Sequence, residues 1–80
     1  MTQNTYPTKD LMIAACILAK GIPLIDYTTN GEYLTFIFDN KELCDQIEKD
    51  WWAGTGIVVA SKYAEAIKRL KNLVYSKFSY

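Results

Sequence analysis

The chain of 80 residues contains no histidine, and that absence removes the usual base from any serine or cysteine nucleophile. Cys–His zinc sites go with it, because the two cysteines, Cys16 and Cys44, have no such companion ligand. Neither does the chain carry an excess of either charge. Nine basic side chains balance nine acidic ones, and the pI is near 6.1, so there is no overall field of the kind that draws a protein onto a polyanion. Long apolar runs are missing too. The longest, Leu11 to Ala19, has nine residues, where a membrane span needs about twenty. The opening Met1-Thr2-Gln3-Asn4-Thr5-Tyr6 is polar, so no signal peptide is expected. Cysteines among apolar neighbours and no leader predict free thiols and a cytoplasmic location.

Other chemistry lacks its parts as well. Gly54-Thr55-Gly56 is without the further glycine and the Lys-Ser or Lys-Thr of a phosphate-binding loop. Asp45 and Glu48 stand one helical turn apart, but they are expected on an outer helix face rather than across a cleft. No catalytic, cofactor-binding or metal-binding residues are therefore assigned. An enzyme, a cofactor and a small-molecule substrate are not expected, and neither is a membrane partner.

What is present is material for a core. Half of the residues are hydrophobic, 14% are aromatic and 22% are charged, which places 1–80 as a single small α+β domain. Thr8 and Asp10 mark a helix start, and Lys20, Gly21 and Pro23 mark its end. The residues between them have no polar face, so this helix is expected to be covered on nearly every side. Leu24–Thr28 and Tyr33–Phe38 flank Asn30-Gly31, the signal of a tight two-residue hairpin turn. That turn directs Ile25, Tyr27, Leu34, Phe36 and Phe38 to the core and leaves Leu24, Asp26, Thr28, Tyr33, Thr35 and Ile37 outside.

Asp39 with Glu42 reads as an approximate capping box for a second helix, with Leu43, Cys44, Ile47 and Trp51 on its inner side. Gly54-Thr55-Gly56 breaks the chain, and Ile57-Val58-Val59 is a candidate short third strand. Ser61 caps a C-terminal amphipathic helix running to about Tyr75, with Tyr63, Ile67, Leu70 and Val74 inward.

Two surfaces compete for a function. Trp51 and Trp52 point about a hundred degrees apart on a helix, so one belongs to the core and the other to the rim. Trp51 is expected under the hairpin. Trp52, with Met12 and Ile13 of the apolar helix and Leu24, Tyr33 and Ile37 of the outer hairpin face, forms the expected protein-interaction set. Its partner would be a second copy of the chain or another protein. The alternative is nucleic acid, held by Lys68, Arg69, Lys71, Tyr75 and Lys77 in a tail that continues through Phe78, Ser79 and Tyr80. Charge is also split along the chain. Residues 1–55 carry four lysines against eight carboxylates, whereas residues 56–80 carry five cations against one, Glu65.

Tyr6-Pro7-Thr8-Lys9-Asp10-Leu11, Leu18-Ala19-Lys20-Gly21, Phe36-Ile37-Phe38, Trp51-Trp52-Ala53-Gly54 and Leu70-Lys71-Asn72-Leu73-Val74-Tyr75 together resemble a family of small bacterial and phage proteins known only as a domain of unknown function. The resemblance spans Tyr6 to Tyr75. It implies no activity, and it implies a phage or mobile-element setting in which a small domain binds a host or viral macromolecule.

Overall fold

A computed structural model describes residues 4–78. Along the chain run β1 (Thr5–Thr8), α1 (Leu11–Ala19), β2 (Leu24–Thr29), β3 (Leu34–Asp39), α2 (Lys41–Ala53) and α3 (Ala60–Phe78). The strands form one antiparallel sheet in the order β1-β3-β2, so the architecture is α+β. α3 lies along α1, and α2 and β1 pack on α1's other sides.

α1 begins where Asp10 accepts hydrogen bonds from the Met12 and Ile13 amides at 2.9 and 3.1 Å. Asp10 is thus the cap, and Thr8 instead accepts from the Asp10 amide at 3.2 Å. At the other end, Gly21 takes φ +94°, which glycine adopts without strain. The Gly21 amide reaches the Leu18 carbonyl and the Ile22 amide the Ile17 carbonyl. This is a Schellman ending, and Ile22 is buried beside it. Ile13 through Ile17 are buried in one unbroken stretch.

The third strand is not Ile57-Val58-Val59, which stays irregular, but Thr5–Thr8 ahead of the first helix. β1 takes the place beside β3 that Ile57-Val58-Val59 would have needed, with β2 on the other side of β3. Pro7 sits opposite Ile37 on edge strand β1, where a missing N–H costs the sheet nothing on its open side.

The hairpin forms with a longer loop than the two-residue turn. Asn30 Oδ1 accepts from the Glu32 and Tyr33 amides at 3.1 and 3.2 Å, and Gly31 takes φ +95°. Tyr27 therefore pairs with Phe36 rather than Leu34. A shift of two residues leaves every side chain on its face. A bulge between Leu24 and Asp26 does change faces: Leu24 pairs with Phe38 on the core side, while Ile25 is exposed. Leu24 and Ile25 thus exchange the places expected of them.

α2 is capped by Asn40 rather than Asp39. Asn40 adopts φ +62°, which asparagine tolerates, and accepts from the Leu43 amide at 3.3 Å. Cys44 and Ile47 are buried and Trp51 packs at the core edge, but Leu43 is exposed, one position round the helix from the stripe. Trp51 does not lie under the hairpin; it stacks on Tyr63 of α3, ring centroids 6.5 Å apart. Tyr63, Ala66, Ile67, Leu70, Leu73 and Val74 form the inner side of α3. The helix starts at Ala60, so Ser61 lies within its first turn, and it extends past Tyr75.

Ile17 is fully buried and Met12, on the same helix, is 57% exposed. Ile17→Ala is expected to cost about 2–5 kcal/mol and Met12→Ala no more than about 0.5 kcal/mol, as read by urea denaturation. Equal losses would contradict this placement of α1. Burial also raises the Cys16 thiol and pushes the Cys44 thiol up to about 11, with Asp45 and Asp39 adding to the latter. Neither thiol is expected to react with iodoacetamide at mildly alkaline pH until the protein is unfolded.

Candidate functional site

The two-residue link between β1 and α1 fixes Tyr6 close to α2. Tyr6 is buried against the core, and its hydroxyl donates to Glu48 Oε1. One helical turn on, Trp52 Nε1 donates to the other oxygen of the same carboxylate, Oε2, at 3.4 Å. Trp52 is 68% exposed. These three side chains, with Thr8, Lys9 and Ile13, line a groove of about 450 Å³.

The groove holds two carboxylates, Asp10 and Glu48, and one cation, Lys9. Glu48 is half-buried, and Tyr6 and Trp52, which donate to it, are both neutral. Burial raises the Tyr6 phenol well above its usual range, and the hydrogen bond and charge of Glu48 raise it further, as does the charge of Asp45. Tyr6 therefore stays protonated and keeps donating. Lys9 donates its Nζ to Tyr33 Oη at 3.2 Å and lies 4.3 Å from the Tyr33 ring centroid. That contact, with Asn30, lowers the Tyr33 hydroxyl. Asp10 is occupied with its cap, and Asp45 is paired with Lys41 at 2.8 Å.

The expected interaction residues do not form one surface. Ile13 is 3% exposed and belongs to the groove floor and core, because α1 packs that side inward. Leu24 is turned to the core by the bulge. Tyr33 lies in the hairpin loop beneath Lys9. Ile37 is half-buried on the far side of the sheet from the helices. Met12 and Trp52 are exposed.

Of the basic set, Lys68, Arg69 and Lys71 are exposed on α3 and make no ion pair among the described residues. Tyr75 is exposed. Lys77 leaves the group, its Nζ 5.2 Å over the Tyr27 ring. Ser79 and Tyr80 lie outside the described residues.

A second apolar surface was not anticipated. Leu43, Ile57 and Val59, exposed by 47%, 82% and 58%, surround a cavity of about 520 Å³ between α2, the α2–α3 connection and the end of α1. Its sequence signal was three aliphatic residues after a glycine turn with no polar alternation to fix them in a sheet. Among the described residues no cluster of three potential metal ligands occurs, and no helix is long and apolar enough to cross a membrane.

Residues 3–76 match the family model of a domain of unknown function, DUF5659. No curated protein and no solved structure matches the chain.

Tyr6→Phe removes one of two donors to a half-buried carboxylate and is expected to cost about 1–3 kcal/mol. The pH dependence has a definite sign. Tyr6 and Cys44 both titrate higher in the folded chain than their ordinary values of 10.0 and 9.0, so the folded state holds their protons more tightly. Their contribution is complete below pH 9 and is lost as pH rises through the folded-state values, beginning before the Cys44 value of about 11. Urea midpoints are expected to fall over that range, and to fall less steeply in Tyr6→Phe.

Proposed function

The chain belongs to the DUF5659 family, a domain of unknown function, and from its own surfaces we propose that it is a non-enzymatic protein-interaction module that associates with itself. One observation carries this reading. Trp52 is 68% exposed, yet its indole N–H is tied to Glu48. A large apolar ring held in place at the mouth of a groove loses little side-chain freedom when a partner covers it, and tryptophan concentrates binding energy where it is covered. The exposed patch of Leu43, Ile57 and Val59 supplies further apolar area.

A non-enzymatic role is supported by the state of Glu48. Both carboxylate oxygens already accept hydrogen bonds, and the donors are a tyrosine held protonated and an indole that does not titrate. The finer reading puts the protein in the cytoplasm, in keeping with two buried free thiols, and on a phage or mobile element, in keeping with the resemblance of its motifs.

A second reading, a small nucleic-acid-binding protein, is favoured by one observation: Lys68 and Lys71 project outward one turn apart and make no ion pair among the described residues.

Light scattering over a concentration series separates the two. Self-association predicts a mass that rises with concentration, with a blue shift of tryptophan emission as Trp52 is covered. Trp52→Ala is expected to weaken it by about thirtyfold, as a hot-spot residue does. A chain that stays monomeric at every concentration, and gains mass only with a single-stranded oligonucleotide in low salt, would replace the first reading with the second.

A further inference from the structure

We propose that the Trp52–Glu48 groove receives a cationic side chain, Lys68 or Lys71, from the outward face of α3 of a second copy of the chain. The inference rests on the self-association reading and names the contact that produces it.

The groove has the chemistry for an ammonium group. Glu48 accepts one hydrogen bond on each oxygen, from Tyr6 and Trp52, which leaves lone pairs open and brings no positive charge. Of the cations nearby, Lys41 is paired with Asp45, and Lys9, at the rim of the groove, donates to Tyr33. The exposed indole face of Trp52 attracts a cation through its ring quadrupole, and a half-buried carboxylate beside it strengthens that attraction. A cation entering between them would meet a carboxylate already oriented by two hydrogen bonds, so little ordering remains to be done.

The same chain presents the complementary surface. α2 carries Lys41 and Lys49 against Glu42, Asp45, Glu48 and Asp50, while α3 carries five cations against Glu65 alone. Lys68 and Lys71, three residues apart, share one flank of α3, both are exposed, and neither makes an ion pair among the described residues. Each copy therefore holds one acidic, aromatic groove and one basic ridge. In a pair related by a two-fold axis such a contact forms twice, once in each direction. A polyanion would satisfy the ridge and leave the groove empty, whereas a second copy satisfies both.

A double-mutant cycle on the full chain tests this. Glu48→Gln removes the charge but keeps an acceptor for Tyr6, and Lys68→Gln/Lys71→Gln changes only exposed side chains. Each is expected to weaken the dimer about tenfold by sedimentation equilibrium, and the combined variant hardly further, because one contact has been removed from both sides. The parent dimer is expected to weaken as salt rises, and the variants much less so. Neutralisations whose effects multiply, or a dimer indifferent to them and to salt, would overturn the inference while leaving self-association standing. A monomer at every concentration would overturn both.

Discussion

α1 carries nine apolar residues in succession, so whichever way it is turned some large side chain faces outward. Burying each isoleucine or leucine is worth about 1.5–3 kcal/mol, and a handful of them matches the whole net stability of a small domain. Cover on several sides is therefore the condition the remaining elements must meet. The core-facing side of the sheet, α2 and α3 meet it, and Met12 is the part of the helix left most open. A helix surrounded in this way must also satisfy its own backbone ends. Asp10 does so at the start, and the Gly21-Ile22 ending does so at the finish. Because Asp10 follows β1 by only one residue, the same cap fixes where β1 leaves the sheet, and hence where Tyr6 meets α2.

Much of this was legible from residue order. The apolar helix with its Gly21 ending, the hairpin around Asn30-Gly31 and the inner stripe of α3 all follow from local chemistry, and all are present. Even the mistaken length of the hairpin turn left the facing of Tyr27, Leu34, Phe36 and Phe38 intact, since a slip of two keeps side-chain parity. Errors arose where a local rule competes with tertiary context. Thr5–Thr8 is short and contains proline, so it reads as a helix lead-in and becomes a strand only because β3 offers it an edge. Ile57-Val58-Val59 has strand composition but lies in the α2–α3 connection and pairs with no strand. The bulge at Ile25 leaves no mark in composition, yet it exchanges Leu24 and Ile25 between faces.

The groove was less legible, for a reason of distance along the chain. Glu48 and Trp52 are one helical turn apart and can be paired from the sequence, but Tyr6 lies 42 residues from Glu48. Only the packing of β1 and α2 on the same helix brings them together. Glu48 also looked like one of several carboxylates on a solvated face. What separates it from Asp45 is the partner each one finds. Lys41 neutralises Asp45, while two neutral donors hold Glu48 without cancelling its charge. A hydrogen bond and a compensating charge are separate things, and Glu48 receives two of the first from neutral donors.

A net charge of zero has a different meaning once this is seen. Opposite charges spread evenly would give a surface of no particular preference, but here the cations are concentrated in α3 and the carboxylates in the segments before it. At physiological ionic strength such a separation acts over about 8 Å, so it does not steer molecules from afar and matters only for groups brought to contact. A protein with a large net charge also repels its own copies, and any complementary patches must overcome that repulsion. This chain has none to overcome. In the proposed dimer, the local match between a basic helix flank and a carboxylate held by neutral donors beside an exposed indole would set how two copies meet, and the area of Trp52 that is covered would set how long they stay together.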